Sequence, residues 1–135
     1  MIIHLSVPAQ GQGLHDITPH LNDALTPLSG DGLCTIFIQH TSASLLIQEN
    51  YDPSAKFDLE CWLNRLVPEG DPLYTHTLEG ADDMPAHIKS SLTAASLSVP
   101  VVGGKMALGS WQGVFLWEHR HDSKLRNLVV HVSQD

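Results

Sequence analysis

The sequence predicts an α+β fold: a mainly antiparallel, sandwich-like sheet with about three inserted helices. Three observations predict it. Segments of strand period dominate, their connections are short, and three stretches change to helical spacing, each opened by a proline near a capping residue.

Residues 1–7 are short and apolar and read as a strand. Thr18-Pro19 then supplies a cap and a first helical residue. Ile17, Leu21, Leu25 and Leu28 follow at steps of four, four and three, one face of an amphipathic helix, and Ser29-Gly30-Asp31-Gly32 ends it. Residues 33–40 form the clearest strand, with Cys34, Ile36, Ile38 and His40 on one face and Leu33, Thr35, Phe37 and Gln39 on the other. Residues 44–49 continue as a strand after Thr41-Ser42-Ala43, a link that suits either a hairpin or a bent, continuing strand. Asp52-Pro53 opens a second helix to about Leu66, with Ala55, Leu59, Trp62, Leu63 and Leu66 expected inward. Pro68-Glu69-Gly70-Asp71-Pro72 is a loop, and residues 73–84 are polar with no clear element signal. Pro85 marks the third helix, with an Asp or Met as cap and Met84, Ile88, Leu92 and Ala95 as its apolar stripe. The last third reads as strands at 97–102, 105–108, 113–119 and 127–133. Gly103-Gly104 suits a two-residue hairpin turn, because both central positions can take positive φ.

A chain of 135 residues fits one domain, 1–135, with a proper core. At 42% hydrophobic and 16% charged it is neither disordered nor fibrous. No apolar run approaches the ~18 residues of a membrane span. The start Met1-Ile2-Ile3-His4 lacks a basic region and a small-residue cleavage site, so the expected location is the cytoplasm. A net charge of −8 argues against a nucleic-acid or anionic-membrane partner, which needs clustered Lys and Arg. Two cysteines make no disulfide framework, and Cys34 and Cys61 lie in apolar segments as buried thiols. Histidine is over-used: nine rings against seven Lys plus Arg, so full protonation would turn −8 into +1.

Four segments carry polar residues in patterns that suit chemistry. His40 sits at the rim of a core, and Thr41, Ser42 and Ser44 follow. Small hydroxyls beside an imidazole can hold an oxyanion, although capping a turn is their commoner use. The segment 74–87 gathers His76, Glu79, Asp82, Asp83 and His87. His87 is expected in the first helical turn, where the dipole favours the neutral ring that binds metal or acts as a base. Asp82 or Asp83 can cap, orient a His or bind a cation. Leu108-Gly109-Ser110-Trp111-Gln112-Gly113 offers a stacking face and an amide in a glycine-flanked turn. Glu118 shares a face with Val114 and Leu116, which suggests a carboxylate held inside a site. His119, Arg120 and His121 are expected at the surface or an interface. No Cys-x-x-Cys, Gly-x-Ser-x-Gly, Walker or dinucleotide motif is present.

Taken in order, His40-Thr41-Ser42, Glu49-Asn50, Asp52-Pro53, Tyr74-Thr75-His76, the run from Asp83 to Lys89, and Leu108 to Gly113 followed by Glu118 resemble the YjbQ family. That family is often labelled secondary thiamine-phosphate synthase. The resemblance covers nearly the whole chain. It implies a compact α+β trimer of deformed antiparallel sandwiches, with a polar site near subunit contacts. It also implies a weak activity that joins a pyrimidine diphosphate to a thiazole phosphate. His40, Asn50, His76, His87 and Gln112 occupy the family's polar positions. Ser110 replaces the usual Thr and keeps a hydroxyl. Asp83-Met84 stands where many members have Asn-Ala, which puts an acid in place of an amide.

The expected site therefore has His40, His87 and Glu118 as catalytic groups. Thr41, Ser42, Asn50, Lys89 and Gln112 are expected to bind a phosphorylated small molecule, with Arg120 and Arg126 in support. His40, His76 and His87 are expected to converge on a divalent metal, Zn²⁺ or Mg²⁺. Two other functions fit the same residues: a metal-dependent, three-His hydrolase or lyase, and a non-enzymatic homotrimer that holds a small anion.

Overall fold

Alternating apolar residues build two facing sheets. The structure is a computed structural model that describes residues 1–135. Its elements run β1 (Ile2–Ala9), β2 (Gly13–Asp16), α1 (Thr18–Ala24), β3 (Gly32–Ile38), β4 (Ala43–Glu49), α2 (Pro53–Leu66), α3 (Asp83–Leu92), β5 (Ser96–Val102), β6 (Lys105–Met106), β7 (Gln112–Glu118) and β8 (Lys124–Gln134). The larger sheet has the order β1-β8-β3-β5-β6, the smaller β2-β7-β4, and every pairing is antiparallel. The α+β class is thus as the sequence predicts. No helix is long and apolar enough to cross a membrane.

The main core lies between the sheets. Cys34, Ile36 and Ile38 of β3 and Leu128, Val130 and Val132 of β8 meet Leu45 of β4 and Val114 and Leu116 of β7, and α1 adds Leu21. The other face of β7 is covered as well: Phe115 and Trp117 pack with Leu14, Leu63 and Val67. Burial on both faces explains the unbroken apolar run from Val114 to Trp117.

Several boundaries differ from the sequence reading. The hairpin between residues 33–40 and 44–49 does not form, because β3 pairs with β5 and β8 while β4 pairs with β7. Residues 39–42 instead carry the chain from one sheet to the other. β2 is a strand that the sequence reading lacks; it has only four residues and opens on Gly13, two residues after Gly11. The Gly103-Gly104 turn is as expected, with φ of 59° and 80°.

The helices rest on narrower stripes than their spacing suggests. In α2, capped by the Asp52 carboxylate accepting from the Ser54 amide at 2.9 Å, Leu63 is the buried residue, whereas Trp62 and Leu66 are half exposed. The stripe is Leu59, Leu63 and Val67, at steps of four. Helix α3 begins at Asp83, before Pro85, and buries Asp83, Pro85, Ala86 and Lys89. Leu92, expected inward, is exposed, and Ala95 lies beyond the helix. A short helix that buries an acid and a lysine is positioned by polar partners, and those partners form the site.

Candidate functional site

Asp83 and His87 stand four residues apart on α3 and share a face. His76 reaches them from the preceding loop, which turns back at Gly80 (φ 111°), whose carbonyl takes the Asp83 amide at 3.3 Å. His76 Nε2 lies 2.6 Å from Asp83 Oδ2, and His87 Nε2 lies 3.3 Å from the same oxygen. One donor atom from each of the three residues falls within 4.8 Å of the others. The two imidazoles are partly open to solvent while the Asp83 side chain is buried.

Arg120 clamps this corner. Its Nη1 donates to Asp83 Oδ1 at 2.6 Å, its Nε to Asp82 Oδ2 at 3.0 Å and its Nη2 to the Glu79 carbonyl at 2.8 Å. Asp82 precedes α3 but makes no side-chain cap; it accepts the His121 amide at 2.9 Å instead. Burial alone would raise the Asp83 carboxyl, but the His76 hydrogen bond and the Arg120 charge hold it below the usual range. Burial opposes the Arg120 charge too, yet the Asp82 hydrogen bond and the surrounding carboxylates keep its pKa above normal. His87 is the fifth residue of the helix, not in its first turn, where the dipole effect is concentrated.

His40 does not join this cluster. Its Nδ1 lies 3.2 Å from Arg126 Nη1, and its Nε2 accepts the Asn127 amide at 2.8 Å. Burial and the neighbouring guanidinium lower its pKa, against the opposing charge of Glu118. Both ring nitrogens thus face donors, one of them cationic, which is a poor setting for a metal ligand. Within one chain, His40 therefore stands apart from His76 and His87, and the residue that joins those two is Asp83. Glu118 is fully buried, and its two oxygens take Arg126 Nε at 2.6 Å and Nη2 at 2.5 Å, while the Arg120 amide adds a third bond at 3.1 Å. Arg126 also donates to Ser42 Oγ at 2.9 Å. Thr41 lies beside His40 and Ser42 in an open hollow of about 450 Å³.

Asn50 and Gln112 lie at the other end of the smaller sheet. The Asn50 amide donates to the Gln112 carbonyl at 3.3 Å, next to the Tyr51–Trp111 ring pair. Glu49 pairs with Gln112 and Ala43 with Glu118, so six residues of β7 separate the two ends, roughly 20 Å at ~3.3 Å per residue. Within one chain, the expected site residues fall into separate groups.

Lys89 and His119 make another cluster. Lys89 is buried and donates to Asn64 Oδ1 at 2.6 Å. Burial lowers its pKa, against Glu69 and Asp82. His119 does not lie at the surface as the sequence suggests: it is 1% exposed, because the double-sided burial of β7 continues past its last residue. Its Nε2 meets Ser44 Oγ at 2.9 Å and its Nδ1 has no partner. Burial, with the charges of Lys89 and Arg126, pushes the ring down to about 3. Sequence reasoning misses His119, Asn64 and the Arg120 clamp. The signal available is the run Glu118-His119-Arg120-His121, whose alternating charge suggests a solvated strand end. Cys34 is inert, its thiol pushed up to about 11 by burial.

Comparison with known proteins agrees with the resemblance. The family model described as UPF0047 protein YjbQ-like matches residues 3–135. The UPF0047 protein sll1880 of Synechocystis sp. is 50% identical over 131 residues, 96% of this chain and 88% of that one. The UPF0047 protein YjbQ of Escherichia coli O157:H7 is 42% identical over 128 residues, 93% and 92% of the two chains. Among solved structures, the conserved hypothetical protein TT1486 of Thermus thermophilus superposes with a TM-score of 0.87 at 35% identity, covering 97% of this chain and 99% of the other.

Proposed function

The chain belongs to the YjbQ-like UPF0047 family, and from that premise we propose that His76, Asp83 and His87 hold a divalent metal ion, Zn²⁺ first, for chemistry on a phosphorylated small molecule. The observation that carries the reading is the gathering of two imidazoles and one carboxylate within 4.8 Å. With bonds of about 2.0–2.1 Å, donors around a tetrahedral Zn²⁺ stand roughly 3.3 Å apart. The separations of 2.6 and 3.3 Å from the shared Asp83 oxygen need only small side-chain adjustments to reach that. Bound there, the metal would supply a Lewis acid with a position left for a water or phosphate oxygen.

The protein's own groups prepare that position. Arg120 fixes Asp83 Oδ1, which turns Oδ2 toward the imidazoles, and the ion pairing keeps the carboxylate charged. The Nε, Nη1 and Nη2 atoms of Arg120 are already engaged by Asp82, Asp83 and Glu79. No free arginine is therefore left there to neutralise a phosphate, which favours a metal-assisted site over a metal-free one. Within this class the family resemblance points to the joining of a pyrimidine diphosphate to a thiazole phosphate, with pyrophosphate leaving. Hydrolysis is the second reading, favoured by a donor set of the two-imidazole, one-carboxylate kind that hydrolytic zinc sites use.

We propose a cytoplasmic homotrimer as the working form. Trp62 and Leu66 on α2, with Leu73 and Leu78 in the loop beyond, are exposed apolar groups that an assembly would cover. The test has two parts. Emission spectroscopy of the purified protein, before and after chelation and reloading with Zn²⁺, should find about one metal per chain, and turnover of the two phosphorylated substrates or of a phosphomonoester panel should follow the metal. Failure of the stripped protein to bind Zn²⁺ would refute the metal site. Light scattering should give three times the 14.8 kDa chain mass, and a monomer would refute the trimer.

A further inference from the structure

Behind the metal-site corner, two adjoining cavities of about 200 and 350 Å³ share Gln12, Asn64 and Lys89 in their walls, and the smaller one is also lined by His119. Lys89 and His119 leave hydrogen-bonding capacity unfilled. An ammonium has three N–H donors, and Lys89 makes one hydrogen bond, to Asn64 at 2.6 Å. His119 has a buried Nδ1 with no partner. Both residues are at least 98% buried, so bulk water does not meet the shortfall as it does on a surface.

We infer that this cleft is a binding site for a small oxyanion, a carboxylate or a phosphate group, received by the free N–H bonds of Lys89 and by Nδ1–H of His119. The tautomer is compatible. When the Ser44 hydroxyl donates to His119 Nε2, the neutral ring carries its proton on Nδ1 and becomes a donor there. The acids of the walls are engaged elsewhere: Glu60 accepts the Leu14 amide at 2.8 Å, and Glu69 meets His121 at 2.5 Å. Asn64, the one acceptor on Lys89, is neutral, so the ammonium retains a charge for an anion to meet. The inference stands apart from the metal reading, since none of the three metal donors takes part.

The experiment uses the full chain stripped with chelator, in a buffer free of oxyanions. Inorganic phosphate and acetate are titrated separately while the imidazole nitrogens of His119 are followed by NMR. A saturable shift that fixes the proton on Nδ1 is expected; a response to phosphate alone assigns a phosphate group, and a response to acetate a carboxylate. Lys89→Met should weaken binding at least about tenfold, as for a lost charged hydrogen bond. Asn64→Asp, at an exposed position, should do the same by placing a carboxylate on the ammonium. His76→Ala should leave binding unchanged. No saturable shift with either anion would overturn the inference and leave the cleft to ordered water. Equal affinity in both cleft variants, or loss of binding in His76→Ala, would also overturn it.

Discussion

His119 should make the fold sensitive to mild acid. The buried ring takes a proton only near pH 3, while the unfolded chain takes one near the ordinary 6.5. Between those values the unfolded state holds more protons, so stability falls as the pH falls. Integrating over the two pKa values, the step from about pH 7 to about pH 5 removes roughly 2 kcal/mol. For a chain of this size that corresponds to about 5–8 °C in Tm. Asp82 and Asp83 have pKa values below the ordinary 3.8, so their stabilisation persists above that value and is lost only as the pH falls through the folded ones. They do not titrate across this step. His40, also lowered, adds a loss of the same sign. The assay is urea unfolding followed by tryptophan fluorescence at the two pH values, with chelator and at one protein concentration. His119→Phe is the control, because it loses the Ser44 bond equally at both pH values and so isolates the titration. The variant should lose about 2 kcal/mol less than the parent over this step. A difference below about 0.5 kcal/mol would refute the argument and mean that the ring is charged, or hydrated, in the folded protein.

Three other perturbations test other parts of the structure. Asp83→Asn should weaken Zn²⁺ binding at least about 100-fold by removing the anionic donor, read by competition with a chromophoric chelator. Arg126→Met should cost about 3–5 kcal/mol, since it leaves Glu118 buried and charged; Arg126→Met with Glu118→Leu should cost clearly less, and equal losses in urea unfolding would contradict the pairing. Leu45→Ala, at a fully buried position between the sheets, should cost about 2–5 kcal/mol by calorimetry, while a cost below about 1 kcal/mol would mean the core is looser than described.

The sequence is most legible where one physical signal acts alone. Cys34, Ile36 and Ile38 alternate because β3 has one buried face, and Gly103-Gly104 turns because both residues take positive φ. It is least legible where tertiary partners override local pattern. Trp62 and Leu66 fit a helical stripe, yet the apolar contact of α2 with the sheet runs along Leu59, Leu63 and the C-cap residue Val67. The pairing of β4 with β7 rather than β3 depends on contacts between residues about 70 apart, which no local period encodes. In the site, the motifs offer His76, His87 and an acid, Asp82 or Asp83, without choosing between the two acids. What selects Asp83 is its burial, which depends on Arg120, far along the chain.

The same strand explains why the polar clusters are neighbours at all. β7 is central in its sheet and covered on both faces, so it cannot shift register without exposing core. At its end the alternation of directions deals out successive residues: Glu118 to Arg126, His119 to Ser44 and the cleft, Arg120 to the two aspartates before His87, and His121 to Glu69. Four consecutive side chains thereby tie the sheet to the His40 corner, to the Lys89 cleft and to the start of α3. A one-residue slip would exchange the cation for the imidazole and leave Asp83 buried without its guanidinium, a loss of several kcal/mol that locks the register from the polar side as the core locks it from the apolar side. The geometry of the proposed metal donors is therefore a property of the sheet, transmitted through Arg120, rather than of the loop that carries His76.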